Sequence, residues 1–255
     1  MTKETTVCIS IAEKPGNFGA TIFNAAFQEL GLDFIYKPFA VKAEQLKGAV
    51  EGIRSLGIKG CGVSMPHKTE VIKYLDGIDA AAKEIGAVNT IVNERGFLVG
   101  YNTDFLGAQR ALKEIYDVSQ KRVLVIGAGG AAKAITAVLK GNGAGSIYMS
   151  NRDDNNKGQW RGQSFDLLVN ATPVGMAPNN DEMIIKENDL QLFEAVMDVV
   201  INPPQSLLLK LAEKSGKIVI PGHKMALHQA VAQFELYTGI KAPLEIMEQS
   251  LKKLL

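Results

Sequence analysis

Apolar positions along this chain fall into short unbroken runs that alternate with longer stretches of helical spacing. Residues 6–11 read as a strand, 18–30 as a helix ended by Gly31, 34–37 as a strand stopped by Pro38, and 43–56 as a helix ended by Gly57. A third strand follows at 58–63. This repeated βα order predicts a mostly parallel sheet covered by helices on both faces. Runs at 87–92 and 97–99, split by Asn93-Glu94-Arg95-Gly96, predict a hairpin added to that sheet, and 105–116 predicts a helix.

The second half repeats the alternation, with strands at 123–126, 146–149, 165–170, 195–199 and 217–220, and helices at 131–139 and 206–214. Two helices close the chain, 226–237 and 244–254, separated by Gly239 and Pro243. The pattern implies two α/β domains: residues 1–102 with 222–255, and residues 103–221. One stretch is short for this scheme. Residues 153–164 are polar with two glycines and one Trp, and a crossover between parallel strands alone takes roughly a dozen residues. Either the sheet lacks an edge strand here or residues are missing from the chain as given.

Composition narrows the partners. With 28 basic and 27 acidic residues among 255, no field recruits nucleic acid or an anionic membrane, and a small molecule is the expected partner. Cys8 and Cys61 lie in apolar runs, without CxxC spacing or a nearby His, so neither zinc nor a disulfide framework is expected. Buried thiols in a reducing cytosol fit better. The first residues lack the basic region and apolar run that a leader would carry, so none is expected, and no stretch approaches the ~18 apolar residues of a membrane span. The expectation is a soluble cytoplasmic protein, monomer or homodimer, with no metal.

Chemistry concentrates where apolar runs end. The run 123–126 leads into Gly127-Ala128-Gly129-Gly130-Ala131-Ala132 and then a helix. That order suits a dinucleotide-binding turn: Gly127 for the tight turn, Gly129 for close approach to a pyrophosphate, Ala132 for helix–strand packing, and the helix N-terminus for the phosphates. The plain alternative is an ordinary strand-to-helix turn. Ser64-Met65-Pro66-His67-Lys68 follows another run, and Pro66 favours the first turn of a helix. Asn89-Thr90 and Asn102-Thr103-Asp104 are further polar interruptions, each with a bland account as a turn, cap or surface charge.

In this order the pieces resemble the shikimate dehydrogenase family. The resemblance is carried by Gly60-Cys-Gly-Val-Ser64-Met-Pro-His-Lys68, Gly86-Ala-Val-Asn89-Thr90, Gly100-Tyr-Asn102-Thr103-Asp104, the glycine turn, Asn151-Arg152, and Asn170-Ala-Thr172-Pro-Val-Gly175-Met176. It implies reversible reduction of 3-dehydroshikimate to shikimate with NADP, NAD being the alternative. Lys68 matches the family's catalytic lysine and Asp104 its acidic partner. Ser64, Asn89 and Gln229 would hydrogen-bond the ring hydroxyls. Gly127, Ala128, Gly129, Gly130, Ala131, Asn151, Arg152 and Thr172 would hold the cofactor, with Gly222 and Met225 near the nicotinamide. Arg152 favours a 2′-phosphate, whereas Asp154 would suit the free ribose of NAD. His67 and His223 adjoin these sites and read as structural. Trp160 could pack in the core or stack on the base, and core packing is the preferred reading.

The chain departs from the family's pattern at the substrate. A pair of carboxylate-binding serines is absent between Ile11 and Gly19, where Lys14 and Asn17 fall at or beside their places. Lys14 could meet a carboxylate as a point charge, and Asn17 could instead cap the following helix. Gly62 stands where a ring-binding Asn is common and Ile201 where a substrate-contacting Tyr is usual. These departures, with Phe18-Gly19 and Gln233-Phe-Glu-Leu-Tyr237, resemble the divergent shikimate dehydrogenase-like branch. Quinate or an aminoshikimate is an alternative substrate, and a catalytically weak ligand-binding or regulatory homologue is the reading from another class.

Overall fold

The computed structural model describes residues 2–151 and 160–254. The chain divides into two compact units, Met1–Thr103 with Gln229–Leu254, and Asp104–His228.

The first unit carries β1 (Thr6–Ala12), α1 (Phe18–Glu29), β2 (Phe34–Ala40), α2 (Leu46–Ser55), β3 (Gly60–Val63), β4 (Gly77–Ile78), α3 (Ala80–Ile85), β5 (Thr90–Glu94) and β6 (Phe97–Tyr101). They form a six-stranded sheet in the order β2-β1-β3-β5-β6-β4. β1 runs parallel to β2 and β3, and the β5–β6 hairpin joins β3 antiparallel, as the sequence predicts. Alternation then sorts the side chains. Ile9, Ile11, Cys61, Val63 and Ile91 face Leu46, Val50 and Ile53 of α2, whose spacing puts them on one helix stripe. The aromatic rings of Phe23, Phe27, Phe34, Tyr36, Phe234 and Tyr237 form a second cluster.

Two expectations fail here. β2 runs through Pro38 to Ala40 instead of stopping at Lys37; it is an edge strand paired only with β1, where a missing N–H is tolerated. Pro66 opens a run of turns leading to a 3-10 helix at Glu70–Tyr74, not an α-helix. Only Val71 of that helix is buried, so no apolar stripe demands a longer one.

The second unit contains most of α4 (Thr103–Ile115), then β7 (Arg122–Ile126), α5 (Gly130–Gly141), β8 (Ser146–Ser150), β9 (Leu167–Asn170), β10 (Ala195–Asp198), α6 (Leu207–Lys214), β11 (Ile218–Pro221) and the first part of α7 (Gly222–Thr238). Five parallel strands lie in the order β11-β10-β9-β7-β8. The inner strands are apolar on both faces because both are covered. Val123, Val125, Val169 and Met197 join the α4 and α5 side. Leu124, Leu168 and Val196 join the α6 side, which also takes in Trp160, Phe165 and Phe193. Trp160 is therefore a core residue, ring centroid 6.2 Å from that of Phe193. α7 starts at Gly222, before the predicted 226, and continues into the first unit, where α8 (Leu244–Lys252) packs on α1.

Candidate functional site

Topology brings the candidate residues of the first unit to one sheet edge. β1 and β3 are parallel, so Lys14 and Asn17 after β1 and Ser64 after β3 leave from the same end. β5 is antiparallel to β3, with Gly62 opposite Thr90, so Asn89 just before β5 arrives at that end too. Backbone bonds tie the loops together: Glu13 N–H to Met65 O (3.1 Å), Ser64 N–H to Ile11 O (2.9 Å), Val63 N–H to Asn89 O (2.7 Å) and Val88 N–H to Lys68 O (2.8 Å). Ser64, Lys14 and Asn17 are exposed and Lys68 is half-buried. Asn17 occupies the N-cap position of α1, but its side chain makes no capping bond, so the capping role is not the one it plays.

Asn89 is the fixed point of this edge. It is 2% exposed, and its Oδ1 accepts from Thr103 N–H (2.7 Å), Thr103 Oγ1 (3.1 Å) and Thr90 Oγ1 (2.8 Å). Its Nδ2 donates to Thr103 Oγ1 (2.9 Å) and to Gln229 Oε1 (3.4 Å). Gln233, one helical turn beyond Gln229, donates to Asn89 O (3.1 Å) and Thr90 Oγ1 (2.9 Å). This network holds Gln229 beside Asn89. His67 is buried with Nε2 2.8 Å from Val41 O, a structural partner.

In the second unit all strands are parallel, so the loops after β7, β8, β9, β10 and β11 share one edge, and the chain order reverses between β7 and β9. That is where an open α/β sheet binds its ligand. Gly127 has φ +135°, and a Cβ there would lie 2.7 Å from Ala171 O, so only glycine fits this turn. Gly129 is the N-cap of α5 with no side-chain cap, open space where a Cβ would point, and Ala132 fully buried behind it. The first-turn N–H groups of α5 are thus left for an anion. These features fit the pyrophosphate of a dinucleotide. Ala128 is exposed, Gly130, Ala131, Asn151 and Thr172 are half-buried, and all lie on this edge. Gly222 opens α7, where a Cβ would be 2.5 Å from Val200 O. Met225 is 5% exposed and packs in the core. Arg152, Asp153 and Asp154 lie outside the described residues.

One buried carboxylate at this edge has no counterpart among the residues the sequence singles out. Asp198, fully buried, ends β10 as Asn170 ends β9. Its Oδ1 accepts from Asn170 Nδ2 and Val200 N–H, both at 3.0 Å, and its Oδ2 from Ser206 Oγ at 2.5 Å. Asn170 Oδ1 in turn accepts from Thr172 N–H (3.1 Å) and Oγ1 (2.7 Å). Desolvation raises the Asp198 pKa to about 6, against the hydrogen bonds from Ser206, Val200 and Asn170 that lower it. The signal available in sequence was an acidic residue closing an apolar run at a strand's carboxyl end.

The chain is similar to known proteins over nearly its whole length. The model of the shikimate dehydrogenase substrate binding domain matches residues 18–91, and that of the shikimate 5'-dehydrogenase C-terminal domain matches residues 222–252. A Methanobrevibacter smithii shikimate dehydrogenase (NADP(+)) is 42% identical over 263 residues, covering 94% of this chain and 93% of its own. A shikimate dehydrogenase-like protein of Haemophilus influenzae is 35% identical over 263 residues, covering 97% and 96%. The crystal structure of a Listeria monocytogenes shikimate 5-dehydrogenase in complex with shikimate and NAD matches with a TM-score of 0.86 and 34% identity, covering 98% of each chain.

Proposed function

The chain belongs to the shikimate dehydrogenase family, and on that premise we propose that it interconverts 3-dehydroshikimate and shikimate, or a closely related cyclic hydroxy acid, with NADP. It is an oxidoreductase of the hydride-transferring kind. The observation that supports the reading most is the gathering of the assigned residues on one sheet edge in each unit: Ser64, Asn89 and Gln229 in the first, the Gly127 turn and Thr172 in the second. The first unit takes the acid and the second the dinucleotide.

The nicotinamide supplies or accepts the hydride. As the carbonyl carbon is reduced, negative charge develops on its oxygen, where the Lys68 ammonium stabilises it and delivers the proton from Nζ. Asp104, buried in the first turn of α4, is the acidic partner that the family resemblance assigns to the same reaction. Asn89, fixed by Thr90 and Thr103, presents a constant face to the ring hydroxyls together with Gln229 and Ser64. Asn17 and Lys14 take the part of the missing hydroxyl clamp for the substrate carboxylate, and Asn17 is suited to it because its side chain does not cap α1. Ala128, Gly129, Gly130 and Ala131 offer backbone N–H groups to the pyrophosphate. A reducing, cytoplasmic setting belongs to the same reading, since Cys8 and Cys61 are buried and unpaired. No helix among the described residues is long and apolar enough to cross a membrane.

The test is the initial rate at the reduced-nicotinamide absorbance band, with shikimate and quinate each paired with NADP and NAD. Turnover of shikimate with NADP is expected. Activity confined to quinate would move the substrate assignment, and no turnover with any pairing would remove the catalytic reading.

A further inference from the structure

The two carboxylate oxygens of Asp198 hold different parts of the second unit. Oδ1 accepts from Asn170 Nδ2 and from Val200 N–H, both at 3.0 Å, and so reaches the segments that follow β9 and β10. Oδ2 accepts from Ser206 Oγ at 2.5 Å, and Ser206 Oγ in turn accepts from Leu209 N–H at 3.3 Å as the N-cap of α6. Asp198 and Asn170 are register partners on β10 and β9, and both are buried. With two N–H donors at Oδ1, any proton the carboxyl takes up goes to Oδ2, toward Ser206, and Oδ1 remains an acceptor.

An acceptor at that place sets the polarity of what lies beyond it. Asn170 Nδ2 has two acceptors, Asp198 Oδ1 and Val174 O (3.1 Å). This turns Asn170 Oδ1 toward Thr172, where it accepts from the backbone N–H (3.1 Å) and from Oγ1 (2.7 Å). Thr172 Oγ1 itself accepts from Val174 N–H at 3.2 Å. A hydroxyl has one proton and two lone pairs, so the Thr172 proton is spent inward on Asn170, one lone pair on Val174, and one lone pair remains. Thr172 is half-buried two residues beyond β9, on the edge that carries the Gly127 turn. A phosphate oxygen only accepts and is no partner for that lone pair, whereas a ribose hydroxyl or a carboxamide N–H is.

We propose that Asp198 is a positioning residue for the dinucleotide: through Asn170 it holds the Thr172 hydroxyl with its proton turned inward, so that this hydroxyl receives a hydrogen bond from a ribose hydroxyl or the carboxamide of the cofactor. This rests on the reading of the second unit as the dinucleotide-binding one. Burying a carboxylate is costly, and a strand that needed only to pack at its end would be served as well by an apolar side chain. Fixing the polarity of a binding hydroxyl is a task that an apolar side chain cannot perform.

The experiment is fluorescence titration of the full chain with NADPH, alongside thermal melts, for the wild type, Asp198→Ala, Asp198→Asn, Ser206→Ala, Thr172→Ala and the double variant of Asp198→Ala with Thr172→Ala. Asp198→Ala should weaken NADPH binding about tenfold. Asp198→Asn should bind within about threefold of wild type, since its Oδ1 still accepts from Asn170 and Val200 and its Nδ2 finds Ser206 Oγ as an acceptor. In the Thr172→Ala background Asp198→Ala should cost nothing further, because the two act through one contact. Ser206→Ala removes the N-cap of α6 and should lower the melting temperature with the NADPH dissociation constant unchanged. A loss from Asp198→Ala that is the same with and without the Thr172 hydroxyl, or an equal loss in Asp198→Asn or in Ser206→Ala, is what a loosened fold would give and overturns the proposal. So does an unchanged dissociation constant for Asp198→Ala. Wild type that does not bind NADPH overturns the cofactor assignment itself. Should Asp198→Ala not fold, Asn170→Ala must show the same dependence on Thr172, and its absence overturns the proposal.

Discussion

Asn170 and Asp198 face each other across the β9–β10 register and are joined by a 3.0 Å hydrogen bond between Asn170 Nδ2 and Asp198 Oδ1. The pair couples two loops at the ligand edge of the second unit: Asn170 fixes Thr172, and Asp198 fixes Val200 and the N-cap Ser206. A buried carboxylate that accepts three hydrogen bonds is useful as a clasp and costly as a charge.

That cost gives a pH dependence with a definite sign. Burial raises the Asp198 pKa from 3.8 to about 6, so the folded state favours the protonated form. The group's stabilising contribution is full below its unfolded pKa and is lost as pH rises through about 6. Relative to Asp198→Asn, which does not titrate, the wild type should lose on the order of 2–3 kcal/mol of stability between pH 4 and pH 7.5. Urea unfolding of both proteins at the two pH values measures it, and a constant difference between them would show that Asp198 is ionised with no penalty.

The two glycines of the dinucleotide turn should separate folding from binding. At Gly127 a Cβ meets Ala171 O at 2.7 Å and φ is +135°, so Gly127→Ala should destabilise the fold by about 1–3 kcal/mol. Gly129 has extended backbone with open space beside it, so Gly129→Ala should leave the melting temperature unchanged and weaken NADPH binding tenfold or more, because its methyl enters the space assigned to the pyrophosphate. Fluorescence titration with NADPH and thermal melts of both variants check the pair. Equal NADPH affinity for Gly129→Ala and wild type would place the phosphates elsewhere.

The glycine turn was legible in the sequence because every part of it is local: an apolar run, a glycine and a helix follow one another within a few residues. The hairpin around Asn93-Glu94-Arg95-Gly96 was legible for the same reason. The continuation of β2 through Pro38 is not legible locally, because the tolerance of Pro38 depends on its strand lying at a sheet edge, which is a tertiary fact. The first turn of α7 is likewise hidden in the sequence, because Gly222-His-Lys lacks the apolar spacing that marks Ala226 onward. Asp198 is not legible in the sequence because its partner is distant along the chain: it meets Asn170 across two strands. Ser64, Asn89 and Gln229, assigned by family pattern, needed the first sheet to show why they gather at one edge, and Thr172 needed the second sheet to show why it lies beside the Gly127 turn.

A buried hydroxyl in the first unit offers a test of packing alone. Tyr237 is 1% exposed, and its hydroxyl has no hydrogen-bond partner among the described residues. An unsatisfied buried polar group costs about 1–3 kcal/mol. Tyr237→Phe keeps the ring against Phe23 and removes the orphaned oxygen, so it should raise stability by about 1 kcal/mol, or roughly 2–4 °C in melting temperature. A lower melting temperature would reveal a hydrogen-bonding role for that oxygen.

Lys68 is asked to do two things, to stabilise developing negative charge and to surrender a proton, and two substitutions separate them. Lys68→Ala removes both and should lower kcat by about 10²–10⁴ while leaving the NADPH dissociation constant unchanged, since the cofactor turn belongs to the other unit. Lys68→Arg keeps the positive charge, but a guanidinium holds its proton to a pKa above about 12 and is a poor acid at neutral pH. If proton delivery dominates, Arg should be nearly as inactive as Ala; if charge stabilisation dominates, Arg should recover most of the lost rate. Single-turnover rates with enzyme-bound NADPH measure the chemical step free of product release. A kcat for Lys68→Ala within a factor of two of wild type would remove Lys68 from the mechanism, and the proton would then have to come from another group on the same edge of the first unit.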